Sequence, residues 1–413
     1  MGDTETAVGL VFAVLDTDRG EIVAAAGGLG LIFPVQQAQN ALALKEREIK
    51  KVISDIYIPC PCGSGKKYKF CCYGIEDKKF HSPNELYMYV VKQKNKKAFC
   101  IHNDEKCHKE IIKAHSIQNN KILSKLATDG HVYVAEFNAN KFGGLDFKKC
   151  GKNEATTATC FCKFHDVEIF KDIELKDYNY EEKQNFLYAY RAFSKYYYDR
   201  IVALADYRDM FKVSPNFMLV SGSYDRIKGL EKSVEENESI KNAFNAALDK
   251  GQFDDIVTIT ITLDYEVSFA TAYMSPLSFD LEGNIVSNVW SLSDRVKNIY
   301  VSIFPEKGKT YILISWLKED GDYKFDKFRE QFQEVKQNED VLLNVLNNMV
   351  ACQSDNFVFS KRLLDSWGEE KIEVFRHQCM SSFLALNGKN IGLAIEKNIK
   401  KFKCLFDLFE NIK

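Results

Sequence analysis

No stretch of the 413-residue chain approaches eighteen uninterrupted apolar residues, so no membrane-spanning helix is expected. The apolar segment from Ala7 to Leu15 has no basic region before it and is broken by Asp16, Asp18 and Arg19. That argues against a signal peptide. A Gly-x-x-x-x-Gly-Lys-Ser/Thr run is missing, which removes a P-loop nucleotidase from consideration. Gly27-Gly-Leu-Gly30 lacks the strand–turn–helix setting of a dinucleotide site and reads as a turn. There is no Gly-x-Ser-x-Gly elbow and no His-Glu-x-x-His, and Ser221-Gly-Ser223 has no histidine nearby. Net charge is nearly absent too, at −2, so the average composition points to no polyanion.

What the chain does have is cysteine. Of its twelve, nine lie between Cys60 and Cys162, mostly in pairs at metal-ligand spacing. Cys352, Cys379 and Cys404 are scattered among apolar residues and read as core packing. Such usage fits a reducing compartment, so the expected location is cytoplasmic. Cys60, Cys62, Cys71 and Cys72 fall in the run Pro59-Cys-Pro-Cys-Gly-Ser-Gly-Lys-Lys-Tyr-Lys-Phe-Cys-Cys72. Four thiolates suit a tetrahedral zinc ion, and Gly-Ser-Gly lets the backbone fold back so that the sulfurs converge. The run resembles the SEC-C zinc motif at nearly every position. That motif is an accessory module of many unrelated proteins, so it implies a metal more firmly than an activity.

Composition of 46% hydrophobic and 28% charged residues is that of a globular protein, and the length suits two or three domains. Residues 7 to 33 suggest a hairpin and 36 to 56 a helix, together an amino-terminal segment over 1–58 without an evident role. The SEC-C motif occupies 59–75 and a second cysteine–histidine region 95–175. A helical segment follows over 176–250, with Phe186, Leu187, Tyr190, Phe193, Tyr197 and Ile201 along one side of a long helix. Near Phe253 the period changes from helical to two-residue, with strands expected at 256–263, 267–273, 298–304 and 310–316. Helices return after Asp320-Gly-Asp322. The fold class expected is therefore α+β, multidomain, its 251–413 part an antiparallel sheet with helices packed on it.

The second region carries Cys100 and Cys107, then Lys109 to Ile117 as a strand ending at His115, and later Cys162-Lys-Phe-His165-Asp166 opening an amphipathic helix. A hairpin bearing two cysteines, followed by a helix whose first turn bears two further ligands, is a treble-clef layout. Cys100, Cys107, Cys162 and His165 are the expected ligands of a second zinc, with His102 and His108 as substitutes and Cys150 and Cys160 as spares. The stretch also resembles the HNH (ββα-metal) endonuclease motif. The resemblance implies that His115 is the general base and that Asp166 holds magnesium or manganese. Asn119, Asn120 and Asn153 are all candidates for the motif's middle asparagine, and the loop between its halves is longer than usual.

From Cys60 to Lys125 there are 14 lysines, no arginine and 6 acids. This local excess suits a polyanion, and Lys66, Lys67, Lys69, Lys94, Lys96 and Lys97 are the expected phosphate contacts. Phe99-Cys100, Ala114-His-Ser-Ile117, Phe161-Cys-x-x-His-Asp166 and Ser354-Asp-Asn-Phe357 together look like a family of bacterial proteins often found beside defence and mobile-element genes. The function expected is a zinc-containing, nucleic-acid-acting protein, an HNH-like endonuclease in antiphage defence. The alternative is a non-catalytic zinc adaptor docking protein or nucleic acid through the SEC-C motif or the carboxy-terminal domain. A third class is a toxin-like effector whose activity sits in that carboxy-terminal domain.

Overall fold

The computed structural model describes residues 53, 55–80, 83–92, 97–137, 145–220, 223–288, 295–381, 385–386 and 389–412. The amino-terminal hairpin and nearly all of the helix expected ahead of the cysteine run fall outside these residues, as do Lys94 and Lys96. The protein is α+β with antiparallel sheets, as the change of period near Phe253 implies. Among the described residues no helix is long and apolar enough to cross a membrane.

Helix α1 (Pro83–Lys92) follows the cysteine run. Strand β1 (Ile111–His115) comes next, then β2 (His131–Phe137), β3 (Leu145–Gly151) and β4 (Thr157–Cys162). Helix α2 (Lys163–Glu174) starts directly from β4. The aromatic stripe lies on α3 (Glu182–Val213), where Phe186, Leu187, Tyr190, Phe193 and Tyr197 are buried and Ile201 is half-buried. Two further helices follow, α4 (Pro215–Val220) and α5 (Ser223–Lys250).

Four long strands come next: β5 (Ile256–Leu263), β6 (Phe269–Pro276), β7 (Asn298–Glu306) and β8 (Lys309–Leu317). Helices α6 (Tyr323–Val335), α7 (Glu339–Gln353) and α8 (Lys361–Ser381) come after them, with the three-residue strand β9 (Phe357–Phe359) between α7 and α8, and a short helix over Ile391–Lys397 follows. Asp322 ends the Asp320-Gly-Asp322 turn by accepting from the Lys324 and Phe325 amides at 3.0 and 3.4 Å, capping α6.

Seven strands make one antiparallel sheet in the order β3-β2-β9-β6-β7-β8-β5. Alternate residues serve its two faces. Ile299, Val301, Ile303, Ile312 and Ile314 meet α6, α7 and α8. Tyr300, Phe304, Tyr311 and Leu313 meet Tyr190, Phe193 and Phe244 of α3 and α5. Both faces are covered, so all nine residues of β7 are buried, and no polar–apolar alternation survives there.

Two features depart from the expected layout. Residues 116 to 156 are not a plain loop, because β2 and β3 form a hairpin within them and pair with the long sheet through Tyr133↔Phe359 and Val134↔Val358. The sheet therefore runs from the cysteine–histidine region into the carboxy-terminal part. Second, Cys100 and Cys107 lie on the loop before β1 rather than on a hairpin, and the antiparallel partner of β1 is β4.

Candidate metal centres

The first cysteine cluster is folded by backbone bonds at short range. Cys60 N donates to Lys66 O at 2.8 Å, Gly63 N to Cys60 O at 3.0 Å and Cys71 N to Tyr68 O at 3.0 Å. Gly63 and Gly65 take φ of 73° and 74°, the left-handed region where a side chain is strained. The ligand atoms of Cys60, Cys62, Cys71 and Cys72 all lie within 4.8 Å of one another. Cys62 and Cys71 sulfurs are 3.5 Å apart, and those of Cys71 and Cys72 are 3.8 Å apart. A tetrahedral zinc with bonds of about 2.3 Å requires sulfurs about 3.8 Å apart. The four residues fit that ion.

Burial alone opposes four thiolates here. It pushes Cys60 up to about 11 and Cys72 well above the usual thiol range. Burial also acts to raise Cys62, but hydrogen bonds led by Ser64 outweigh it and hold that thiol down to about 7. A divalent cation is the natural remedy for the remaining cost. The knuckle rests on α3: Tyr68 packs edge-on against Phe211 at 6.0 Å, and Gly63 has no room for a Cβ beside Arg208.

The second cluster is assembled from distant segments. Cys162 ends β4, caps α2 by accepting from the His165 amide at 3.4 Å, and is fully buried. Its amide in turn donates to Cys100 Sγ at 3.3 Å. His165, one turn into α2, aims Nδ1 at Cys100 Sγ and Cys162 Sγ, 3.3 and 3.4 Å away. The ligand atoms of Cys100, Cys107, Cys162 and His165 all lie within 4.8 Å of one another.

On the far side of the ring, His165 Nε2 is 3.0 Å from Asp104 Oδ1, a close charge contact without the alignment of a hydrogen bond. A carboxylate on the outer nitrogen of a ligating imidazole fixes its tautomer and orientation. Burial, followed by His102, lowers the pKa of His165 and keeps the ring neutral, as a metal ligand must be. Burial pushes the Cys100 thiol up, whereas the His165 and His108 amides outweigh burial at Cys162 and lower it. These donors also suit zinc.

Of the substitutes, His102 stays beside the centre, its ligand atom within 4.8 Å of those of Asp104 and His165, while His108 and the spares take other positions. His102 turns Nε2 to Asp249 Oδ1 at 3.2 Å, and His108 stacks on Phe164 with centroids 4.7 Å apart. Cys160 is buried in the core beside α3, and Cys150 is half-buried on β3. Asp104 carried no signal in sequence, since its role depends only on the loop that brings it behind His165.

His115 stands at the end of β1, next to the start of β4. Its Nδ1 donates to Ala155 O at 3.0 Å, so Nε2 carries the lone pair. Asn119 Nδ2 approaches Nε2 at 3.3 Å and donates to Asn153 Oδ1 at 2.9 Å. Two of the three candidate asparagines thus meet at this histidine. Burial lowers the pKa of His115, keeping it neutral.

A cavity of about 10 Å³ is lined by His115, Ser116, Asp166, Arg191 and Lys195 among others, room for about one water. Asp166 Oδ1 and Arg191 Nε are buried there without hydrogen-bond partners. Burial raises the Asp166 pKa, opposed by Arg191. One carboxylate fits magnesium or manganese only if phosphates and water bring the remaining ligands. Among the described residues no metal-ligand group of three includes Asp166.

Ser116 links this corner to the sheet. It donates to Thr156 O at 2.9 Å and receives the Asn356 side-chain amide at 3.0 Å, while that amide also donates to Ala272 O at 2.7 Å. Two short motifs 240 residues apart therefore meet. Of the expected phosphate contacts, Lys66, Lys67, Lys69 and Lys97 are all exposed.

Fold and sites together define an α+β protein with two four-ligand centres that could hold zinc. Residues 58–74 match the SEC-C motif. No curated protein and no solved structure matches the chain.

Proposed function

We propose that this is a zinc-containing protein acting on nucleic acid, with an HNH-like hydrolytic centre at His115 and a place in bacterial antiphage defence. The observation that carries the reading is the setting of His115 on a β1–β4–α2 unit. Its Nδ1–H is committed to Ala155 O, which makes Nε2 the acceptor, at present facing the Asn119 amide at 3.3 Å that water would have to displace. A neutral, oriented imidazole is what activation of water requires. Asp166 would hold magnesium or manganese together with the substrate, a cation that offsets charge on the phosphate. Exposed lysines around the first cluster would carry the phosphate backbone.

His115→Ala is expected to lower magnesium- or manganese-dependent cleavage at least about 100-fold while leaving two zincs per chain. Plasmid and RNA cleavage assays paired with metal analysis test this. Undiminished cleavage by the variant sinks the catalytic assignment.

A second reading, a zinc adaptor that docks protein or nucleic acid, is favoured by the small size of the cavity, about 10 Å³, and by Arg191, which already supplies positive charge beside Asp166. Under it, two zincs bind, no other divalent ion does, and no nucleic acid is cut. Titration with manganese followed by its paramagnetic effect on the His115 ring separates the two readings.

A further inference from the structure

The outer face of the first cluster carries more than lysines. Phe70 is 68% exposed and Tyr57 is 47% exposed, far more than a small zinc knuckle needs to leave outside. Their ring centroids are 6.4 Å apart at 70°. The backbone bonds Tyr68 N to Ile58 O at 2.9 Å and Lys69 N to Ile56 O at 2.8 Å tie the two segments together. Lys69 Nζ donates to the Tyr57 hydroxyl at 2.7 Å and lies 4.8 Å from the Tyr57 ring centre and 5.7 Å from that of Phe70. Lys67 Nζ lies 5.6 Å from the Tyr57 ring centre. Residues 56–75 contain three lysines and no acid.

These lysines stand on the side away from the body. On the inner side, Arg208 abuts Gly63 and pairs with Glu231 at 2.8 Å, and Lys212 pairs with Asp209 at 2.8 Å. These α3 cations are engaged by carboxylates of the body, whereas Lys66, Lys67 and Lys69 are exposed and open to an external anion.

From this arrangement we infer that Tyr57 and Phe70, flanked by Lys67 and Lys69, form a stacking platform for single-stranded nucleic acid. Unpaired bases offer flat faces to the rings while their phosphates meet the ammonium groups. A duplex keeps its bases stacked internally and would use only the lysines. The inference rests on the nucleic-acid reading above and narrows its substrate to unpaired strands.

The test is fluorescence anisotropy of a labelled mixed-sequence 20-mer, as DNA, as RNA and as the matching duplex, with the full zinc-loaded chain. Phe70→Ala is expected to weaken single-strand binding about tenfold, with zinc content unchanged because the ring is exposed. Phe70→Trp should restore it. Lys67→Gln with Lys69→Gln should reduce the slope of log affinity against log salt by about 1.4. Equal affinity for strand and duplex, or wild-type binding by Phe70→Ala, overturns the platform and leaves the nucleic-acid reading standing. Failure of the wild-type chain to bind any of the three probes ends both.

Discussion

The two cysteine centres answer the same chemical demand in opposite ways. The first is written in one short run: backbone turns within residues 60–72 converge four sulfurs, and only its inner face touches the body. The second draws ligands from a loop, a strand end and a helix start, and it gains an outer partner in Asp104. It is backed by core, with Ile101, Ala114, Phe161 and Phe170 in the cluster that includes α3, while the loop carrying Cys107 forms its exposed side. A local knuckle can be attached to almost any fold, whereas a centre assembled from distant segments is part of the fold that surrounds it. The difference therefore concerns what a metal would support: in the first centre it would order a small surface, and in the second it would tie the loop before β1 to the end of β4 and the start of α2.

The largest expected effect follows directly. Cys162→Ser removes a ligand, a helix cap and a fully buried thiol at once. It should cost about 4 kcal/mol or more, enough to lower the melting temperature by about 5 °C. Cys62→Ser should release one zinc with a much smaller shift, because the knuckle contacts the body through one face. Calorimetry paired with zinc analysis reads both. Equal destabilisation by the two variants would break the comparison.

A smaller effect should come from behind the second centre. Asp104→Asn keeps the shape but removes the charge 3.0 Å from His165 Nε2. Zinc affinity at that centre is expected to fall 10- to 100-fold, measured by chelator competition, while the first centre keeps its metal. No change would mean that Asp104 merely lies near the ring.

How far each centre could be foreseen follows from the same contrast. Cys60, Cys62, Cys71 and Cys72 were legible because ligands, turn glycines and spacing all sit in one window. Cys100, Cys107, Cys162 and His165 could also be chosen in advance, since a cysteine pair and a Cys-x-x-His at a helix start are local signals even when far apart. Asp104 and Arg191 were not legible as site residues. Each takes its role from a tertiary approach, and nothing in the neighbouring sequence marks it. The long strands were visible because β-branched residues cluster there, as in Ile256-Val-Thr-Ile-Thr-Ile-Thr-Leu263. The β2–β3 hairpin was hidden between two halves of a motif, and β9 is only three residues long. Both become strands by pairing with partners remote in sequence.

Asn356 offers a finer probe of the second region. Replacing it with Ala leaves Ser116 Oγ and Ala272 O without their buried donor, which should cost about 1–3 kcal/mol in urea unfolding. Zinc should stay bound at both centres. Loss of the second zinc in this variant would show that the sheet, and not only the local ligands, holds that centre together.

The smallest expected effect concerns pH. Burial keeps His115 neutral in the folded chain, with its pKa below the ordinary value, whereas the unfolded chain protonates it near pH 6.5. Above that pH both states carry a neutral ring and the group has no influence on stability. As pH falls below about 6.5, the unfolded state binds the proton first, so stability declines until the folded pKa is reached. Acid also threatens the cysteine–histidine centres, so the wild-type curve alone cannot isolate this contribution. His115→Gln removes the titrating group while keeping a polar side chain. The difference between the two melting curves, taken from pH 7.5 to 5.5 with zinc content held equal, should narrow on the acid side. A constant difference across that range would mean that His115 titrates as freely in the fold as outside it, and the closed setting of the ring would have to be abandoned.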